Sequence, residues 1–259
     1  MAKTKIEKYY ERHNEDHRLS SRHGQVEFNT TMKYVHECVG NRENLRILDV
    51  GAGTGRYSVA LAQENHIVTA VELVEKNRKI LEAKHQKNVN IWPGNALDLS
   101  FLDDKTFDIT LLFGPLYHLH TQAERLQVFS EAKRLTKDGG FILAAYLMND
   151  YSIIEYCFKR HRIKSCLAGR SVDSDFHTIS SANDLYSYLR LDDINELNER
   201  SSLRRIKIIA ADGPADYMRR DLNAMDEEEF SLFLKYQLAV CERPELIGAS
   251  SHTVDILQV

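Results

Sequence analysis

In ILDVGAGTGRYS, residues 47–58, glycines stand at 51, 53 and 55, two positions after an acid, Asp49. Glycines at alternate positions let a backbone approach a ligand closely and turn through conformations that other residues avoid. A dinucleotide fingerprint requires G-x-G-x-x-G. Gly51 and Gly53 fit it, but the third glycine is Gly55 and position 56 is arginine. No Gly-Lys-Ser/Thr follows, as a P-loop would need. Arg56 could still pair locally at the helix start, so phosphate ligands are disfavoured and not excluded. A second acid, Glu72, closes the next apolar run, where a carboxylate can accept hydrogen bonds from both hydroxyls of a ribose.

These residues need a scaffold, and the chain supplies a regular one. LRILDV (45–50), HIVTAVEL (66–73), VNIWPGN (89–95), FDITLLFG (107–114) and FILAAYL (141–147) are short apolar runs. They alternate with helical segments, as in a parallel sheet buried on both faces. Thr121-x-x-Glu124 is a capping box opening a helix to Leu135, and TKDGG is expected to end that helix on a left-handed glycine. The rhythm breaks after Leu147. Residues 148–204 are too many for one crossover, and they are read as an insertion holding a helix, a loop, a β-like pair (FHTIS and LYSYLRL) and a helix near DDINELNER. RIKIIAADG (205–213) and SHTVDILQV (251–259) complete the strands. The expected fold is α/β: a doubly wound, mostly parallel, seven-stranded Rossmann-like sheet with a lid insertion between strands five and six. Residues 1–40 form an N-terminal helical cap segment and 41–259 the ligand-binding domain.

The 259 residues are 43% hydrophobic and 28% charged with a net charge of -4, so no global positive field argues for nucleic acid. KRHRIK (159–164), RRIK (204–207) and Arg219-Arg220 read as solvated faces. No apolar run is long enough to span a membrane, and the four scattered cysteines read as reduced thiols, so a cytoplasmic location is expected.

A ligand with a ribose, no phosphate and a cationic amino-acid tail beside Asp49 is S-adenosylmethionine. ILDVGAGTG with VTAVEL resembles the first motif region of class I, Rossmann-like S-adenosylmethionine-dependent methyltransferases. GNALDL, FDITLLFGPLYHL and EAKRLTKDGGFILAAYL extend that resemblance over residues 45–147, and GPLYHL is similar to a bacterial branch acting on small molecules. The resemblance implies roles. Gly51, Gly53 and Gly55 approach the methionine portion, Asp49 meets its ammonium, Glu72 binds the ribose and Leu73 lies against adenine. Asn95, in Gly94-Asn95-Ala96, takes the place of the family's frequent aspartate on the adenine side, and Phe113 and Gly114 border the methyl. S-adenosylhomocysteine would be the product.

Methyl transfer from a sulfonium is an in-line displacement whose main demand is alignment in a water-poor pocket. Should a base be needed, His118, with Tyr117 and His120, lies just beyond the fourth strand. Tyr9, Tyr10, Arg18 and His23 belong to an N-terminal segment that would fold over the site. The histidines are too irregularly placed for a metal site, and none is expected. The partner expected is a small-molecule acceptor with an O, N or S nucleophile, a second copy of the chain being the other candidate, with no nucleic-acid or membrane partner. The competing readings are an RNA methyltransferase, a nicotinamide-dependent oxidoreductase and a non-catalytic S-adenosylmethionine-binding protein.

Overall fold

A computed structural model of the protein describes residues 5–12 and 15–259, and the side chains of all of these except 15, 17 and 18. Arg18 therefore lies outside the described side chains. Seven strands form one sheet: β1 (Arg46–Val50), β2 (Ile67–Glu72), β3 (Val89–Pro93), β4 (Phe107–Leu112), β5 (Thr136–Leu147), β6 (Arg204–Ala210) and β7 (His252–Gln258). Their order is β3-β2-β1-β4-β5-β7-β6. β1 to β5 are mutually parallel, whereas β7 runs antiparallel to both β5 and β6. One edge of the sheet thus gathers the C-terminal ends of six strands and the beginning of β7.

Successive side chains on a strand face opposite ways, and both sets are apolar here. On one face Ile47, Val68, Ile109, Leu111, Leu143, Val254 and Ile256 pack on α2 (Arg22–Val39) and α3 (Arg56–Gln63) through Met32, Val35, Tyr57 and Leu61. On the other, Leu48, Val50, Val71, Leu112, Ile142 and Ala144 meet Val128, Phe129, Ala132 and Leu135 of a helix at Gln122–Leu135. Each such fully buried Leu, Ile or Val contributes roughly 1.5–3 kcal/mol. That two-sided burial is why the strands read as continuous apolar runs.

The remaining helices are α1 (Lys5–Arg12), α4 (Glu75–Glu82), α6 (Asn149–Ser152), α7 (Ile163–Ala168), α8 (Leu191–Ser201), α9 (Arg219–Ala224), α10 (Glu227–Val240) and α11 (Pro244–Ile247), with α5 the Gln122–Leu135 helix above. The Thr121–Glu124 capping box forms as expected, and a second one, Asp226–Glu229, opens α10. Two expectations fail. α5 ends on Thr136 in an extended conformation, and Gly139, at φ 76°, instead interrupts the ladder between the Phe107–Thr136 and Ile109–Phe141 pairs. The proposed β-pair of the insertion is reduced to two isolated bridges, Met148–Leu189 and Val172–Thr178.

Within β7, Asp255 is fully buried and accepts from Arg205 Nε at 2.8 Å and Nη2 at 2.7 Å, and from Asn198 Nδ2 at 2.6 Å. The group ties β6, β7 and α8 together, although burial still raises the Asp255 carboxyl above its ordinary range. No helix among the described residues is long and apolar enough to cross a membrane.

Candidate active site

The edge that collects the strand ends carries a cavity of about 400 Å³ running from β2 and β3 at one end to β7 and the segment after β6 at the other. At the first end the glycine turn is held in backbone conformations that favour glycine, with φ of 73°, 58° and 82° at Gly51, Gly53 and Gly55. At Gly55 a Cβ would lie 2.1 Å from Leu81 Cδ1, so any side chain there forces the buried Leu81 side chain of α4 to move. At Gly114 a Cβ would stand 2.9 Å from the Gly51 carbonyl oxygen, so β4 and the turn approach as closely as two backbones can.

Glu72 organises the turn. Its Oε2 accepts from Gly53 N and its Oε1 from Val74 N, both at 2.8 Å. Asn77 also donates to this carboxylate, which leaves it one lone-pair site for a ligand hydroxyl. Burial raises the Glu72 carboxyl, opposed by these bonds and by Asn77. Asn77 is buried against the cavity, and its Oδ1 has no partner among the described residues.

Asp49 is 2% exposed and accepts from Ser58 Oγ at 2.6 Å. Burial pushes its carboxyl up to about 6, with Ser58 opposing and the Glu72 charge adding. No cationic side chain among the described residues pairs with it. Leu73, Gly94, Asn95, Ala96, Phe113 and Gly114 also line the cavity. Asn95 spends one acceptor site of its Oδ1 on Leu97 N, at 3.1 Å.

His118 lines the cavity, but its Nδ1 donates to Leu185 O at 2.8 Å and its Nε2 faces the Tyr10 hydroxyl at 3.0 Å. Burial lowers it to about 4, so it is neutral with both nitrogens engaged. Tyr117 lines the cavity and donates its hydroxyl to Phe113 O at 2.9 Å. His120 is not among the lining residues, and its buried Nδ1 has no partner in the described structure. Tyr10 and His23 reach the cavity, whereas Tyr9 packs edge-on to Tyr10 and Tyr186 behind it.

At the far end lie residues not singled out in the sequence: Glu27, Tyr151, Tyr186, Tyr188, Asp212, Asp216 and His252. Arg219 and the Tyr151 hydroxyl both bond Asp216. Asp212 is 3% exposed. Its Oδ1 accepts from Ser250 Oγ at 2.6 Å and His252 N at 2.9 Å, and its Oδ2 lies 2.8 Å from His252 Nδ1. The only sequence signal for this group was a histidine opening one strand and an aspartate just past the end of another. It becomes readable once the antiparallel register of β6 and β7 is known.

Residues 48–144 match a family described as methyltransferase domain. A candidate methyltransferase of Geobacillus sp. (strain WCH70) is 35% identical over 108 residues, 40% of this chain and 43% of that protein. Demethylmenaquinone methyltransferase of Staphylococcus aureus (strain MRSA252) is 30% identical over 117 residues, 43% of this chain and 46% of that one. The chain thus spans less than half the length of these curated relatives. Among solved structures, an S-adenosylmethionine-dependent methyltransferase from Aquifex aeolicus aligns with a TM-score of 0.56 at 15% identity, covering 99% of this chain and 100% of its own. A Burkholderia thailandensis 1,6-didemethyltoxoflavin-N1-methyltransferase, solved with that substrate and S-adenosylhomocysteine, aligns at 0.54 and 16% identity, covering 90% and 77%. Sheet order, glycine turn and family match agree: residues 48–144 match a methyltransferase domain, and the chain has a Rossmann-like α/β fold.

Proposed function

We propose that the protein is an S-adenosylmethionine-dependent methyltransferase acting on a small molecule. The observation that carries this reading is Asp49, a buried carboxylate lining the cavity with no cation among the described residues paired to it. Such a group is costly unless a ligand supplies the positive charge, and the methionine ammonium would do so. Glu72 retains one acceptor site for a ribose hydroxyl, Asn77 Oδ1 offers a second, and the glycine turn admits the ligand's close approach. When bound, S-adenosylmethionine supplies an electrophilic methyl on a sulfonium. The chain's part is to hold the acceptor in line with that methyl and to keep water out.

A small acceptor is supported by the cavity volume and by tyrosines 10, 117, 151, 186 and 188 around it. The Burkholderia neighbour was solved with 1,6-didemethyltoxoflavin bound. α1 (in the 1–40 cap) and the 148–204 insertion act as covers in this reading: His118 receives Tyr10 from one and Leu185 from the other. The 204–207 and 219–220 runs give RNA little support, because Arg205, Lys207 and Arg219 are spent on Asp255, Glu37 with Glu242, and Asp216.

Calorimetric titration with S-adenosylmethionine, S-adenosylhomocysteine and NADH tests the reading. Binding of the first two, weakened in Asp49→Asn, is the expected result. Preference for NADH, or no binding of either sulfur compound, would return the turn to the dinucleotide binders.

A further inference from the structure

We infer that His252, oriented by Asp212, is the proton acceptor for the methyl-accepting group, and that the acceptor carries an O–H or N–H nucleophile; this rests on the methyl-transfer reading above. A carboxylate can only accept, so the 2.8 Å contact places a proton on His252 Nδ1 and leaves Nε2 as the ring's basic atom. Ser250 Oγ and His252 N hold the other Asp212 oxygen, so the carboxylate cannot rotate away without breaking two bonds. The imidazole lines the cavity at the β5–β7 end, where Leu147 pairs with His252, across the sheet edge from Glu72. β2 and β7 are four strand spacings apart, about 19 Å. The donor's ribose and the base are therefore at opposite ends, with Phe113 and Gly114 between them.

Among the described residues, the charged and titratable groups around the ring come from α2, the segment after β6, α9 and the insertion. Glu27 and His23 belong to α2, with Glu27 Oε2 3.8 Å from His252 Nδ1. Asp212 and Asp216 follow β6, and Arg219 on α9 is paired to Asp216. Tyr151 joins from the insertion through Asp216. Glu27, Asp212 and His252 bring ligand-type atoms within 4.8 Å of one another, but the His252 atom in that set is Nδ1, whose proton sits in the Asp212 bond.

In the step, the acceptor's oxygen or nitrogen attacks the sulfonium methyl as its proton passes to His252 Nε2. The new bond to carbon forms, the carbon–sulfur bond breaks, and its electron pair remains on sulfur to give neutral S-adenosylhomocysteine. The imidazolium faces the Asp212 and Glu27 carboxylates, then releases its proton to water. Asp212 is a positioning residue. In Asp212→Asn the amide oxygen satisfies Ser250 and His252 N while its NH₂ faces Nδ1. Nδ1 must then accept, and the proton moves to the atom that should be basic. A thiol that ionises in water needs none of this.

The test uses the full chain. Diethyl pyrocarbonate with peptide mass mapping reports whether His252 Nε2 is an unprotonated, reachable nucleophile. Turnover is read as transfer of a deuterated methyl from S-adenosylmethionine to matched phenol, aniline and thiophenol acceptors. Labelling of His252 that weakens in Asp212→Asn is expected. Phenol or aniline methylation should fall about 10²–10⁴-fold in His252→Gln and Asp212→Asn, with the acidic limb of the pH profile lost in the former. S-adenosylhomocysteine affinity should be unchanged in both. Unlabelled His252, His252→Gln turnover close to wild type, turnover abolished by EDTA and restored by Mg²⁺, or a wild type that binds S-adenosylhomocysteine yet methylates only the thiol or none of the three would each overturn the assignment. A wild type that binds no S-adenosylhomocysteine fails the methyl-transfer reading instead.

Discussion

Asp49 makes cofactor affinity depend on pH in a calculable direction. In the free protein burial holds its carboxyl at about 6. Beside a ligand ammonium the ionised form is favoured, so the bound-state value drops below the free one. Affinity is therefore fully present above about 6 and is lost as pH falls through it. Ionising the carboxyl costs about 1.4 kcal/mol for every pH unit below its free-state value, so between pH 7 and pH 5 the Kd for S-adenosylhomocysteine should rise about tenfold. Glu72, also raised by burial, acts in the same direction. Asp49→Asn removes a charge-assisted bond of about 1.5–3 kcal/mol, a weakening of roughly 10–150-fold at neutral pH, and should flatten the curve to the Glu72 part alone. Calorimetry at pH 5, 6, 7 and 8 on both proteins is the assay. A wild-type Kd that does not change across that range, or a variant that binds as tightly, would refute the pairing of Asp49 with a cationic tail.

Three further outcomes follow from the packing. Gly55→Ala combines a left-handed backbone with a 2.1 Å clash on Leu81, and a loss of roughly 2–5 kcal/mol should lower Tm by roughly 4–20 °C; a melting curve like wild type would deny the tight turn. Arg205→Met strands the Asp255 charge inside β7 at a cost of about 3 kcal/mol. Because the folded-state Asp255 carboxyl is raised above its unfolded value, that deficit should grow as pH rises and shrink in acid, which denaturant titrations at pH 5 and pH 8 would show. His118→Gln should change acceptor KM or melting temperature and leave the pH profile of kcat in place, since His118 is held neutral between Tyr10 and Leu185.

The cofactor half was legible because its signals are local. Asp49, the three glycines and Glu72 lie within 24 consecutive residues on two adjacent parallel strands, and both flanking strands are apolar on both faces. Glu72 carried more than its expected role, since its bonds to Gly53 and Val74 depend on where the turn folds back. The acceptor half was not legible. Glu27, Tyr151, Asp212 and His252 come from four distant segments, and only the reversal of β7 brings Asp212 and His252 together. LYSYLRL misled for a physical reason. Its alternation reads as a strand, yet Tyr186 and Tyr188 both face the cavity while Ser187 and Leu189 are buried beneath. The alternation lines a wall, and it pairs only at one bridge, Leu189 with Met148 just past the end of β5.

The reversed β7 strand also divides the molecule by what can change. Everything expected to hold the methyl donor comes from residues 49–114, while the opposite end of the cavity is assembled largely from 148–188, 212–219 and 251–252. The two stretches meet through the β4–β5 and β5–β7 ladders, which are backbone contacts indifferent to side-chain identity. A lineage with this layout can trade one acceptor for another by altering residues such as Tyr151, Tyr186 or Tyr188, with the donor pocket inherited intact.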